Sequence, residues 1–182
     1  MRRNKGRRAC AFAFLLLLLA ADASFAQTIQ VAPLARDGRV LVTFRLADAF
    51  NEDVRTAVHS GLTITFVYEV ELKRSTTLWL NRTVAAASVT AGVRYDNLTR
   101  RYHITRKEDG RIDRAETTDS EEVAREWLTE FEKLPLFSSD RLERNGEYYL
   151  RVRAHTTPRN TSFVWPWRHA DVVGLAKFTF IP

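Results

Sequence analysis

Apolar and polar residues alternate along most of this chain, and the places where a period of two gives way to one near four mark its other elements. Val40, Val42, Phe44 and Leu46 alternate with Leu41, Thr43 and Arg45, which predicts a strand with one face in a core. The stretch FNEDVRTAVHSG follows. Asn51 is a candidate N-cap, Glu52 and Asp53 occupy the first turn, Val54 and Val58 stand four apart, and Gly61 stops a short helix. Leu62, Ile64, Phe66, Tyr68, Val70 and Leu72 then line one face of a long strand, and a second run from Leu78 to Val89 is expected to return beside it around RSTT. The segment VRYDNLTRRYHITRKEDGRIDRAETT predicts two or three shorter strands, with DNLT and KEDGR supplying the turns.

A second helix is predicted over TTDSEEVAREWLTEFEKLP, capped by Thr118 with Glu121 or by Asp119 with Glu122 and closed by Pro135. Val123, Trp127, Leu128, Phe131 and Leu134 form its apolar stripe, placing Trp127 in the core. Tyr148, Leu150, Val152 and Ala154 point inward from the next strand, and GLAKFTFIP ends the chain as another. The connections are too short for parallel crossovers. The expected fold is therefore α+β: one domain over residues 40–182, mainly antiparallel sheet, either open or curled into a sandwich, with two amphipathic helices. Residues 27–39 are read as an N-terminal lead-in.

Residues 1–26 read as a signal peptide removed by cleavage. Arg2, Arg3, Lys5, Arg7 and Arg8 precede an apolar run from Ala11 to Ala21, and Ser24 and Ala26 supply small residues for cleavage before Gln27. The run falls short of the roughly 20 residues that span a bilayer. A cut after Ala23, or retention as an uncleaved anchor, are the alternatives. The expected location is periplasmic or extracellular. The leader carries five of the 28 basic and one of the 22 acidic residues, so the remainder is close to neutral, which argues against nucleic acid as a partner. The single cysteine, Cys10, lies in the leader, so the rest of the chain has no disulfide and must rely on its core.

Candidate chemistry is sparse. There is no G-x-S-x-G elbow, no H-E-x-x-H pair and no glycine-rich phosphate loop, and His59, His103, His155 and His169 are scattered. No catalytic residue, cofactor or metal ligand is assigned. Glu69 and Glu71 read as a solvated strand face and Asp96 as a turn cap. Two surfaces remain. Trp165 and Trp167 flank Pro166 beside Arg168, giving a stiff aromatic loop able to meet a partner or to plug the core. Arg101, His103 and Lys107 share one side of a strand, and Arg151 and Arg153 one side of another, so the two would make a basic face if those strands were neighbours.

The stretch VRYDNLTRRYHIT, the strand after the first helix and the LAKFTFIP ending together resemble the domain of unknown function 4390 family of exported bacterial proteins. The motif Y-D-x-L-T-R-x-Y corresponds to Tyr95, Asp96, Leu98, Thr99, Arg100 and Tyr102. The resemblance brings no catalytic residues. It implies a bacterial envelope protein whose gene neighbourhood makes a membrane sensor kinase a candidate partner. Where relatives carry a Leu-Pro segment, this chain has TPRNTSFVWPWRH. The expectation is a non-enzymatic interaction or sensory-accessory module with an envelope protein partner, with peripheral membrane contact open and oligomeric state unassigned. The alternative is a small-ligand or lipid binder using space between sheet and helices near Phe66, Tyr68, Trp79 and Phe163, and third stands an envelope hydrolase using converging carboxylates.

Overall fold

A computed structural model describes residues 28–75, 82–157 and 171–181. Two antiparallel sheets contain β1 (Ile29–Arg36), β2 (Arg39–Leu46), β3 (Ile64–Arg74), β4 (Arg82–Asp96), β5 (Arg101–Glu108), β6 (Arg111–Thr118), β7 (Glu130–Ser138), β8 (Glu147–Thr157) and β9 (Val172–Thr179). The larger sheet runs β6-β5-β4-β3-β8-β9 and the smaller β1-β2-β7. Helices α1 (Glu52–His59) and α2 (Glu121–Thr129) pack on β4, α1 also reaching β3 and α2 reaching β5. No helix among the described residues is long and apolar enough to cross a membrane.

The alternating residues of β2, β3 and β8 are buried as their period requires, with Phe44, Phe66, Tyr68, Val70, Leu72, Leu150 and Val152 at 1% exposure or less. Rings join the sheets: Phe44 of β2 stacks on Phe131 of β7 at 4.5 Å, and both lie 5.0 Å from Tyr68 of β3. Phe66 and Tyr68 are thus buried core residues, with Tyr68 packed on Phe44, Phe66 and Phe131. Trp79 and Phe163 lie outside the described residues.

Three expectations are corrected. Residues 29–36 are a strand, not a lead-in: Asp37 (φ 50°) and Gly38 (φ 73°) make the tight turn that pairs β1 with β2 along their whole length. Pro33 is tolerated because β1 is an edge strand. The second helix begins from Ser120, whose side chain accepts from the Val123 amide, and ends at Thr129, well before Pro135. Phe131 and Leu134 therefore belong to β7, where Pro135 again sits on a sheet edge. Ala124 and Leu128 are buried on the helix, whereas Val123 is 41% exposed and Trp127 only partly buried.

Donors from two strands stop the helix. The Arg106 guanidinium donates to the carbonyls of Trp127 (2.8 Å) and Glu130 (2.6 Å), and the Tyr68 hydroxyl donates to that of Leu128 (2.6 Å). These satisfy carbonyls that a continuing helix would have used. The core then takes Phe131 from an extended backbone.

A candidate interaction site at the β4–β5 turn

The expected surfaces fare differently. Trp165, Trp167 and Arg168 lie outside the described residues. Arg101, His103 and Lys107 do share an outward face with Arg151 and Arg153, but β4 and β3 stand between β5 and β8, as the register Lys107–Thr90–Val67–His155 shows. Three strand spacings separate the runs by about 14 Å. Arg153 lies 3.4 Å from Glu69, and Arg151 lies 3.5 Å from Glu71, which also meets Lys73. The face is a set of cross-strand ion pairs, not a continuous basic strip. His103 is drawn to its own turn, 3.9 Å from Asp96, and Lys107 is exposed.

A different cluster forms at the end of the larger sheet where α1 finishes, α2 starts and the β4–β5 turn reverses the chain. Glu121, in the first turn of α2, is the common acceptor. Arg55 Nε lies 3.0 Å from its Oε1, His59 Nε2 lies 3.0 Å from its Oε2, and the Tyr102 hydroxyl donates to Oε2 at 3.1 Å. The Tyr102 oxygen is also 3.0 Å from His59 Nε2. With the carboxylate accepting from both, the proton of the neutral imidazole belongs on Nε2. Tyr95 closes the group, its ring 4.8 Å from His59 and 4.7 Å from Tyr102.

Desolvation acts most strongly on the Glu121 carboxyl and pulls its pKa upward, but hydrogen bonds from His59 and Tyr102 and the charge of Arg55 together leave it below the usual value. Desolvation, followed by the hydrogen bond to Glu121, pushes the Tyr102 phenol up to about 12. An imidazole oriented by a carboxylate resembles half of a nucleophile-activating set. Among the described residues no serine or threonine hydroxyl bonds to His59, and its Nε2 is held by groups that make a clamp between the two helices.

The turn outside this clamp is built with equal care. Asp96 Oδ1 accepts from the Leu98 amide at 2.9 Å and the Thr99 amide at 3.4 Å, and Arg100 adopts φ 55°. Those bonds, the Leu98 amide first, hold the Asp96 carboxyl below its ordinary pKa, so it stays ionised. The result presents Leu98 at the apex with 95% of its surface exposed. Leu62 is 53% exposed on the loop after α1, where a Cβ placed on Gly61 would lie 3.7 Å from Asn97 Nδ2. Arg100 and Arg101 follow the apex and Arg94 stands on β4 opposite His103, all three exposed and without an ion pair among the described residues.

Every residue of the Tyr95-to-Tyr102 motif therefore has a place. Tyr95 and Tyr102 buttress the turn, Asp96 and Thr99 shape it, Arg100 takes its left-handed corner, and Leu98 is left pointing outward. A family model for a domain of unknown function, DUF4390, matches residues 23–160. The chain belongs to that family. No curated protein and no solved structure matches it.

Sequence reading identified the turn and missed the site. Arg55, His59 and Glu121 come together only through the helix packing, and nothing in their spacing links residue 59 to residue 121. Leu98 was legible in principle: an apolar residue at the apex of an Asp-initiated turn is out of keeping with turn chemistry.

A polar cleft of about 260 Å³ lies elsewhere, between β2 and α2, lined by Gln30, Arg45, Asp48, Phe50, Arg125 and Thr129 among others. Its volume is below the roughly 300–1,000 Å³ of ordinary ligand pockets, so it favours a small-ligand reading less than the turn favours a contact surface.

Proposed function

We propose that this chain is an exported, non-enzymatic interaction module of the bacterial envelope, and that it makes contact through the end of the larger sheet centred on Leu98. The observation that carries the reading is the pairing of a braced turn with an exposed apolar apex. Asp96, Thr99, Tyr95, Tyr102 and His59 fix the backbone, yet the side chain they present is apolar and meets solvent over 95% of its surface. Leaving a leucine in water forgoes about 2 kcal/mol of burial, which a contact would recover. The basic and apolar composition of residues 1–26 supports export.

Photo-crosslinking in living cells tests it. With a photoreactive amino acid in place of Leu98, a discrete and reproducible adduct is expected. The same amino acid in place of Ile112, which is 66% exposed on β6, provides the control. Solvent-quenched product alone from position 98 of a folded protein, or the same adducts from both positions, would overturn the reading.

A further inference from the structure

The β4–β5 turn has a specific shape and chemistry. It is a hairpin tip that projects Leu98 with 95% of its surface exposed, so the leucine itself sits in no groove. Its aromatic rings, the usual anchors of protein–protein contacts, face inward: Tyr95 and Tyr102 are packed on His59 and on each other. What remains for the outside is aliphatic and cationic. Leu98 stands at the apex, Leu62 lies on the adjoining loop, and Arg94, Arg100 and Arg101 lie behind them.

The carboxylates nearby offset the arginines only in part. Asp96, opposite Arg101 in the ladder, keeps its charge while accepting from the Leu98 and Thr99 amides, so three arginines against one carboxylate leave residues 94–102 at a net +2. Glu121 faces the inner side of the turn and is met by Arg55 and His59. On the outer side His103 adds an imidazole that bonds to Thr117.

We infer that the β4–β5 turn docks on an anionic lipid surface, with Leu98 entering the acyl boundary and the guanidinium groups of Arg94, Arg100 and Arg101 meeting lipid phosphates. The fit is one of charge and depth. A leucine ahead of three arginines places the apolar group below the phosphate layer while each guanidinium stays at it, where it donates two bonds in one plane. A flat anionic surface accommodates a projecting tip without a complementary groove. One leucine and three arginines give weak, reversible binding, which a second tether to the same membrane would strengthen.

The inference rests on the contact reading above and adds the partner's class. Its test is vesicle flotation of the full chain, using phosphatidylcholine alone or with about 30% phosphatidylglycerol, the latter at low and high salt. Binding is expected on the anionic vesicles at low salt and is expected to fall when salt is raised. Leu98→Ser should lower it at least tenfold, and the combined Arg94→Gln, Arg100→Gln and Arg101→Gln variant should reduce it to the level on neutral vesicles. These positions are exposed, so the variants should keep the parent's circular dichroism and melting temperature. Ile112→Ser should bind as the parent does. Binding that ignores vesicle charge, or that is unchanged by Leu98→Ser, would overturn the lipid assignment. If that happened while the photoreactive residue at position 98 still captured a discrete protein, the contact reading would stand. Absence of both lipid and protein adducts from position 98 would remove the contact reading itself.

Discussion

Arg106 lies over the ring of Trp127, its guanidinium carbon 4.4 Å from the ring centroid, and donates to the carbonyl of the same residue at 2.8 Å. It belongs to β5 and points inward, a charged side chain where the alternation calls for an apolar one. Phe131 stacks on the same guanidinium at 4.3 Å. Desolvation, then the neighbouring Arg114, lowers the pKa of this arginine, which nevertheless stays charged at any ordinary pH. The cation at the C-terminal end of α2 meets the negative end of the helix dipole as well as two carbonyls.

Removing that side chain should therefore cost more than an ordinary partly exposed arginine. Arg106→Ala is expected to destabilise the fold by about 2–3 kcal/mol, from carbonyls left without donors and from lost stacking on Trp127 and Phe131. Arg106→Lys should lose about half of that, because an ammonium cannot reproduce the planar fork. Urea unfolding followed by tryptophan fluorescence checks both. A loss below 0.5 kcal/mol for the alanine variant would show that water replaces the guanidinium without penalty.

Tyr68 contributes the companion bond, and its environment is drier. Its side chain is fully buried, desolvation drives its phenol far above the ordinary range, and its hydroxyl has the Leu128 carbonyl at 2.6 Å. Tyr68→Phe keeps the ring packing against Phe44 and Phe131 while leaving that carbonyl unpaired, so a loss of about 1–2 kcal/mol is expected. The same chemical unfolding series measures it, and vesicle binding should be untouched.

The helix clamp predicts pH dependence at both ends of the scale. Glu121 has a folded pKa below its ordinary 4.5, so its contribution is present above that value and is lost as pH falls through the lower one. Its side chain is 35% exposed, which limits the contribution to about 0.5–1 kcal/mol. The stability gap between the parent and Glu121→Gln should accordingly be present just above pH 4.5 and close as pH falls below it. Unfolding curves at a series of pH values decide this, and a gap independent of pH would refute it.

Tyr102 gives the opposite sign. Its folded pKa of about 12 lies above the unfolded 10.0, so the stabilisation it carries is complete below pH 10 and disappears as pH rises through 12. Phenolate absorbance near pH 10 should be the same in the folded parent and in Tyr102→Phe, because Tyr102 ionises only at higher pH. If Tyr102 ionises near pH 10 in the folded state, its bonds to Glu121 and His59 are weaker than the geometry implies.

These features explain which parts of the fold could be read in advance. The inward sets of β2, β3 and β8 were legible because a buried strand face imposes a period of two, and the Asn51 cap because its side chain accepts a local bond, here from the Val54 amide at 3.0 Å. β1 was hidden by Pro33 within IQVAPLAR, although Asp37-Gly38 marked the hairpin. The end of α2 was not legible at all, since Glu130 to Leu134 continues a helical stripe and the donors that stop it, Arg106 and Tyr68, come from strands far along the chain. The clamp was hidden for the same reason: Arg55, His59, Tyr102 and Glu121 are joined by packing alone.

Gly174 tests how the two sheets meet. A Cβ built there would lie 2.6 Å from the Ile29 carbonyl oxygen, 2.8 Å from Ile29 Cβ and 2.9 Å from Val31 Cγ2, so the backbone of β9 touches β1 directly. Its backbone does not require glycine for conformation, which makes the constraint purely one of space. Gly38 is the reverse case, with φ 73° and nothing within 4 Å of an added Cβ. Gly38→Ala should cost about 1 kcal/mol through its backbone alone. Gly174→Ala should cost about 1–3 kcal/mol by forcing β1 away from β9. The two are separable by amide hydrogen exchange: Gly174→Ala should accelerate exchange in β1 and β9 while β3 and β4 keep their protection. Unchanged exchange in β1 would mean that the seam between the sheets can shift to admit a methyl group.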